Sequence, residues 1–338
     1  MKKKNRKYVL ILLLILIPAA FFISINAGFT DYGITDILRI LAGKGDGKEN
    51  IVVLQFRMPR ILLALLIGAG FALSGCIIQG ITRNPLADPG ILGINAGAGI
   101  MVLLYVVLHG AVSFGSVFGL PFLSLIGALV TGTIIYALST QKTKGVSSMR
   151  LVLNGVAIQA GINAVMTMVI MKLDDSQHEF LAKWQAGSIW NANWKFVAAL
   201  LPWIVIGITY LILRSRHLDI LTMGDDISFG LGVTVVREKY RLLFTAVALA
   251  AACVAVSGSI SFVGLMAPHL SRKLVGSGHR LLIPVCALTG GLLVLIADTV
   301  ARTVIEPSEI PTGIVVSLLG APYFVFLLLK ERKKTVNS

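Results

Sequence analysis

The sequence predicts an all-α, polytopic integral membrane protein with about ten transmembrane helices, and three observations carry that prediction. Apolar runs of about 20 residues, the length that crosses the hydrocarbon core of a bilayer, recur along nearly the whole chain. Hydrophobic residues make up 56% of the 338 and charged residues only 14%, whereas soluble domains carry about a quarter charged. The basic residues also alternate in step with the apolar runs, as they do when one membrane face is favoured.

The first element is the N-terminus, "MKKKNRKYVLILLLILIPAAFF". It has the basic start and apolar core of a signal peptide, but no clear small-x-small cleavage site follows. It reads as a retained first helix at about 8–28. Apolar length and Pro/Gly punctuation place the others at about 58–80, 91–108, 119–139, 150–171, 196–213, 241–258, 261–275, 281–302 and 312–330. The eighth is short and contains Pro268.

Ten spans put both termini on one side. If that side is cytoplasmic, 21 of the 30 Lys and Arg face inward: the two termini and the segments 81–90, 140–150, 214–241 and 272–280. The remaining nine lie in 29–60, in 172–195 and at Arg302. The net charge of +14 is therefore mostly a topology signal, and no nucleic-acid partner is expected.

Three segments outside the spans are long enough to matter. Residues 29–57 read as an outer loop. Residues 172–195 hold a short amphipathic helix with Trp184, Trp190 and Trp194, a residue type that favours the membrane interface. Residues 214–240 mix polar and apolar character, so they read as folded or docked. One internal echo is visible: "ALSGCI" at 72–77 and "AVSGSI" at 255–260 lie on oppositely running helices, as an inverted repeat would place them. "GINAG" at 93–97 and "GSVFG" at 115–119 have the spacing that permits close helix approach.

Catalytic chemistry is hard to find. Cys76, Cys253 and Cys286 all fall in apolar runs and read as small core residues. The five histidines lack metal-ligand spacing, and no cofactor is expected. "LAGKGDGKEN" at 41–50 fails as a phosphate loop, because Glu49 follows Gly47-Lys48 and no glycine stands five before that pair. The spans carry few ionisable groups; Asp298 is the main exception, and Arg302, four residues on, can pair with it on one helix face. An ion-driven transporter usually buries carboxylates mid-membrane, so energy for pumping has to come from elsewhere.

Several stretches in series resemble the permease subunits of bacterial ABC importers for iron–siderophore complexes, haem and vitamin B12. They are "QFRMPRILLALLIGAGFALSGCIIQ" at 55–79, "RNPLADPGILGINAGAG" at 83–99, "GDDISFGLGV" at 224–233, "SGSISFVGLMAPHLSR" at 257–272 and "LIADTVARTVIEPSEIPTGIVVSLLGAPYFVFLLLK" at 295–330. The resemblance implies a single permease domain over 1–338, with an N-terminal helix 8–28, a core 55–330 and a cytoplasmic coupling loop 214–240. It implies an iron–siderophore complex as cargo, with cobalamin or haem on the same machinery as the alternative. An ion-driven secondary transporter and a polytopic membrane enzyme are the rival classes. The implied partners are an ATP-binding subunit that hydrolyses the ATP, an extracytoplasmic solute-binding protein and a second permease subunit, identical or similar. The implied location is the bacterial cytoplasmic membrane, multi-pass, with both termini inside.

The resemblance also carries over three sets of residues. Arg57, Arg60 and Arg302 match arginines that receive glutamates of the binding protein. Gly224, Asp225, Leu231 and Gly232 match the segment seated in the ATPase; Ser228 stands where the family usually has alanine. Asn84 and Leu86, with Ser147 and Ser148 in "KGVSSMR", match the loops that narrow the path at the inner face. The iron is expected to stay inside its chelator, so no metal ligands are expected on the protein.

Overall fold

The computed structural model describes residues 3–27, 33–109, 119–141, 145–189, 192–305 and 308–336. The chain is a helical bundle organised around one central helix. In order come α1 (Lys3–Asn26), α2 (Ile34–Leu41), α3 (Gly47–Asn50), α4 (Met58–Thr82), α5 (Ile94–His109), α6 (Gly119–Ser139) and α7 (Ser148–Ile170). They are followed by α8 (Asp175–Ala186), α9 (Trp194–Leu213), α10 (Ser215–Thr222), α11 (Asp225–Gly230), α12 (Val235–Ser257), α13 (Val263–Val275), α14 (His279–Thr303) and α15 (Thr312–Val336). Two-residue strands, β1 (Thr140–Gln141) and β2 (Gly145–Val146), pair antiparallel between α6 and α7.

Each of the ten apolar runs holds a helix. Among the described residues, eight helices are long and apolar enough to cross a membrane. The two shorter ones are α5, with 16 residues, and α13, with 13. α13 is short because the chain between α12 and it stays irregular: Gly258 and Phe262 both have φ of +67°.

Residues 29–57 depart from the outer-loop expectation. They contain α2, α3 and a π-helical stretch, Ile51–Arg57, that runs straight into α4. Asp46 and Glu49 start this helix, with the Asp46 N–H donating to the Glu49 carboxylate at 2.9 Å. Proline inside a helix removes one backbone bond and crowds the preceding turn. The wide π turn before Pro59, with Met58 N–H donating to Val53 C=O, lets the helix continue where sequence alone suggested a start.

α4 is central because its side chains are small enough for neighbours to close on it. In the long apolar helix ending at Thr82, 83% of the most apolar window is buried; in α7 the figure is 11%. Gly68 faces Gly290 of α14 and Gly75 faces Gly264 of α13 so closely that a methyl group at either would overlap the facing carbonyl. Ser74 adds a bond to the Ala246 carbonyl of α12 at 2.7 Å. Such backbone contact is how membrane helices associate without a hydrophobic driving force. Of the two predicted glycine pairs, Gly97 packs against Gly127 of α6, while 115–118 lies outside the described residues. The three cysteines are buried and free.

The echo between 72–77 and 255–260 does not survive as structure. The first segment lies inside α4, whereas the second is where α12 ends. The predicted amphipathic helix is α8, capped by Asp174, which accepts from Gln177 N–H at 2.8 Å. Trp184 lies on it, Trp194 donates to the Leu54 carbonyl at 2.8 Å, and Trp190 falls outside the described residues.

Candidate functional sites at the two ends of the bundle

Arg57, Arg60 and Arg302 gather at one end, and each is about nine-tenths buried. Their work there is internal. Arg60 makes a two-pronged pair with Asp298, Nε and Nη2 lying 3.0 Å from the carboxylate oxygens, and its Nη1 meets Glu309 at 2.9 Å. Arg302 reaches Asp298 at 3.4 Å, one turn away on α14, as the sequence suggested. It also donates to the carbonyl and hydroxyl of Ser24, at 3.0 and 2.7 Å. Arg57 donates to the Ile25 carbonyl. A helix ends with carbonyls that lack partners and carry partial negative charge. Arg57 and Arg302 therefore cap α1.

Asp298 has no exposed surface. A buried carboxylate stays charged only when fully paired, and Thr312 completes its shell at 3.0 Å. Sequence reading found the Asp298–Arg302 pair by its spacing. It missed Glu309 and Thr312, because nothing local says that a connection between two helices folds back onto α4.

The opposite end carries α10, α11 and the segment 83–90. Gly224 precedes α11 with φ of +120°, a conformation that side chains resist, and Gly232 follows it at +82°. Asp225 opens α11 and holds two cations: Lys239 Nζ at 2.6 Å and Arg83 Nη2 at 3.8 Å. Lys239 is 3% exposed, so this carboxylate is what keeps its charge paired. Ser228 is fully buried and donates to the carbonyls of Gly224 and Ile220, at 2.6 and 2.9 Å. It is an internal strut of the turn. Three apolar side chains stand outward beside the exposed Asp226: Ile227, Phe229 and Leu231 are all more than half exposed. Leu231 was expected there. Ile227 and Phe229 were missed, although apolar side chains on a short polar loop were the available signal.

Arg83, at φ of +54°, ends α4 and begins the segment expected to form the inner gate. Asn84 is exposed, and its side chain accepts from Leu86 N–H at 2.9 Å, which makes a tight turn. Leu86 is half-buried and packs toward Leu265, Met266 and Leu327. Asp88 caps the 3-10 turn Pro89–Leu92 through Gly90 N–H at 2.8 Å; burial pushes its carboxyl up to about 6, partly offset by that bond. That turn packs on α7. Ser147 is half-buried and precedes α7; Ser148 is its first residue, and its side chain lies outside the described set. A residue that sequence reading passed over holds the segment from behind. Gln79, 3% exposed, donates among the carbonyls of Ala87, Gly264 and Leu265 at 3.1 to 3.3 Å. Its oxygen accepts from Arg272 at 2.6 Å.

A model of the FecCD transport family matches residues 12–330. The chain belongs to that family. FecCD membership agrees with a multi-pass bacterial membrane protein. The iron(3+)-hydroxamate import system permease protein FhuG of Bacillus subtilis (strain 168) is 45% identical over 338 residues, 98% of this chain and 99% of its own. The iron-uptake system permease protein FeuC of the same organism is 39% identical, over 97% and 98%. A solved structure of an inward-facing, metal-chelate type ABC transporter superposes with a TM-score of 0.85 at 31% identity, covering 96% of this chain and 99% of that one.

Proposed function

We propose that this FecCD-family chain is the permease of an ABC importer that carries iron in a siderophore across the bacterial cytoplasmic membrane. The observation that carries the reading is the pairing of family membership over nearly the full length with an exposed, rigidly held α11. A short helix that, with the residue after it, presents three exposed apolar side chains over a buried strut is built to dock into another protein. The partner of that chemistry is an ATP-binding subunit, which supplies the energy this chain has no loop to capture. Both termini lie on that face, in keeping with its excess of Lys and Arg.

In this reading 1–338 works as one permease domain, and a second permease subunit completes the path. Asp225 joins docking to gating. It binds Lys239 of α12 and Arg83 of the gate segment, so a displacement of α11 pulls on the segment that carries Asn84 and Leu86; Ser147 and Ser148, at the start of α7, complete the proposed gate. A solute-binding protein docks at the other end. Direct use of the arginines there requires exchange: an incoming glutamate displaces Glu309, whose side chain is 43% exposed, from Arg60. Arg57 and Arg302 hold the end of α1 in place for that contact.

The test is purification from membranes followed by reconstitution. An ATPase subunit should co-purify, and ATP should drive uptake of radioactive iron from ferric siderophores. Absence of an ATPase partner, or uptake driven by an ion gradient alone, would sink the importer reading. Uptake of cobalamin or haem in preference to ferric siderophores would move the cargo within the same machinery.

A further inference from the structure

The membrane-embedded part of the chain has a polar cavity that neither end explains. It has a volume of about 350 Å³ and lies between α5, α7, the end of α8 and the irregular segment after α12. Asn95, Gln159, Asn163 and Gln185 face it, together with Ser259 and Ser261. The four amides make no side-chain hydrogen bond to other described residues. Gln159, Asn163 and Thr167 follow one another at four-residue steps, so they form one stripe along α7.

Lipid cannot cover this stripe cheaply. An amide in hydrocarbon without a partner costs about 2–7 kcal/mol. Irregular backbone at membrane depth is tolerated only inside protein or along a wet cavity, and Gly258 and Phe262 break the helix just where Ser259 and Ser261 reach the wall. The wall also lacks charge: none of its lining residues is ionisable. An anion entering would lose its water and meet no counter-charge. A neutral ligand with carbonyl and hydroxyl groups would meet donors and acceptors of matching kind, because each amide supplies both. Many neutral bonds hold cargo lightly, as a conduction path requires.

We infer that this cavity is a subsite for an electrically neutral, oxygen-rich ferric chelate, of which a trihydroxamate is the simplest chemistry, and that its amide lining excludes anionic chelates. The inference rests on the importer reading and names its cargo class. Three monoanionic hydroxamates neutralise ferric iron, whereas three catecholates leave the complex trianionic.

The test uses the reconstituted permease with its ATPase, nucleotide-free and without binding protein, so that no other subunit selects the ligand. Asn163→Cys is labelled with a sulfonated, water-soluble maleimide; the three native cysteines are buried and give the background. Met168→Cys lies about 140° away round the helix and serves as the lipid-facing control. Asn163→Cys should react and the control should not. Ferrichrome, a neutral ferric trihydroxamate, should slow the reaction about fivefold at about four times its Kd, and ferric enterobactin, a trianionic tricatecholate, should leave it unchanged. Gln159→Lys in the same background should let the tricatecholate protect. Protection by both chelates alike, or by neither, overturns the inference. So does an unreactive Asn163→Cys, the result expected if a second copy seals this face. Failure of the wild-type importer, with binding protein and ATP, to take up any ferric chelate instead overturns the importer reading itself, whatever the labelling shows.

Discussion

The two ends of the bundle use their charges in opposite ways. At the end holding Arg57, Arg60 and Arg302, every conspicuous cation is nine-tenths buried and spent on the fold, on Asp298 or on the end of α1. At the other end, Asp225 sits half-exposed between Lys239 and Arg83, and three apolar side chains, Ile227, Phe229 and Leu231, stand exposed beside it. A charge that stands out in a sequence is therefore not by itself a docking group. Buried charges need partners and become structural; the exposed side chains that remain decide what can be recognised.

The comparison can be broken most sharply at Arg60. Reversal to glutamate would bring a third carboxylate beside Asp298 and Glu309 and leave Arg302 to pair the buried Asp298 alone. Breaking a buried pair costs about 3–5 kcal/mol, and Arg60→Glu should lose its folded yield and thermal transition in detergent. A variant that stays folded and only loses binding-protein affinity would return Arg60 to the role of a plain docking group.

The next effect belongs to α11. Phe229 is 77% exposed, so Phe229→Ala should leave thermal stability within about 0.5 kcal/mol. It should weaken ATPase association by about 2 kcal/mol, the scale of an interface hot spot. Unchanged co-purification would place the ATPase elsewhere.

Arg83→Gln should produce a subtler result, because it spares the buried Lys239–Asp225 pair. The ATPase still docks and hydrolyses, but the tie to Asp225 is lost, so iron taken up per ATP falls. The Arg83–Asp225 pair is half-exposed and worth about 1 kcal/mol at most, which corresponds to a few-fold drop. Equal loss of uptake and hydrolysis would mean that Arg83 serves docking alone. The smallest effect is expected from Glu309→Gln. Freeing Arg60 Nη1 for an incoming carboxylate should tighten binding-protein affinity by about 1 kcal/mol or less. Weaker affinity would defeat the exchange step.

Much of this architecture was legible in advance. All ten helices follow from apolar length, and the tight turns around α11 follow from Gly224 and Gly232. The misses share a cause. Pro59 argued locally for a helix start, but a π turn absorbs it. "AVSGSI" matched a helix and is a helix end, because Gly258 takes a left-handed φ that its letters only permit.

By itself, the sequence determined the class, the spans and the family, because these depend on hydropathy and local spacing. It also contained every residue of the proposed gate and of α11. Only the tertiary structure decided what those residues do. Arg60 meets Glu309 across 249 positions, and Gln79 meets Arg272 across 193. Whether a cation is spent inside or offered outside depends on burial and on partners brought from far along the chain. Burial is a property of packed helices, and no window of the sequence contains it.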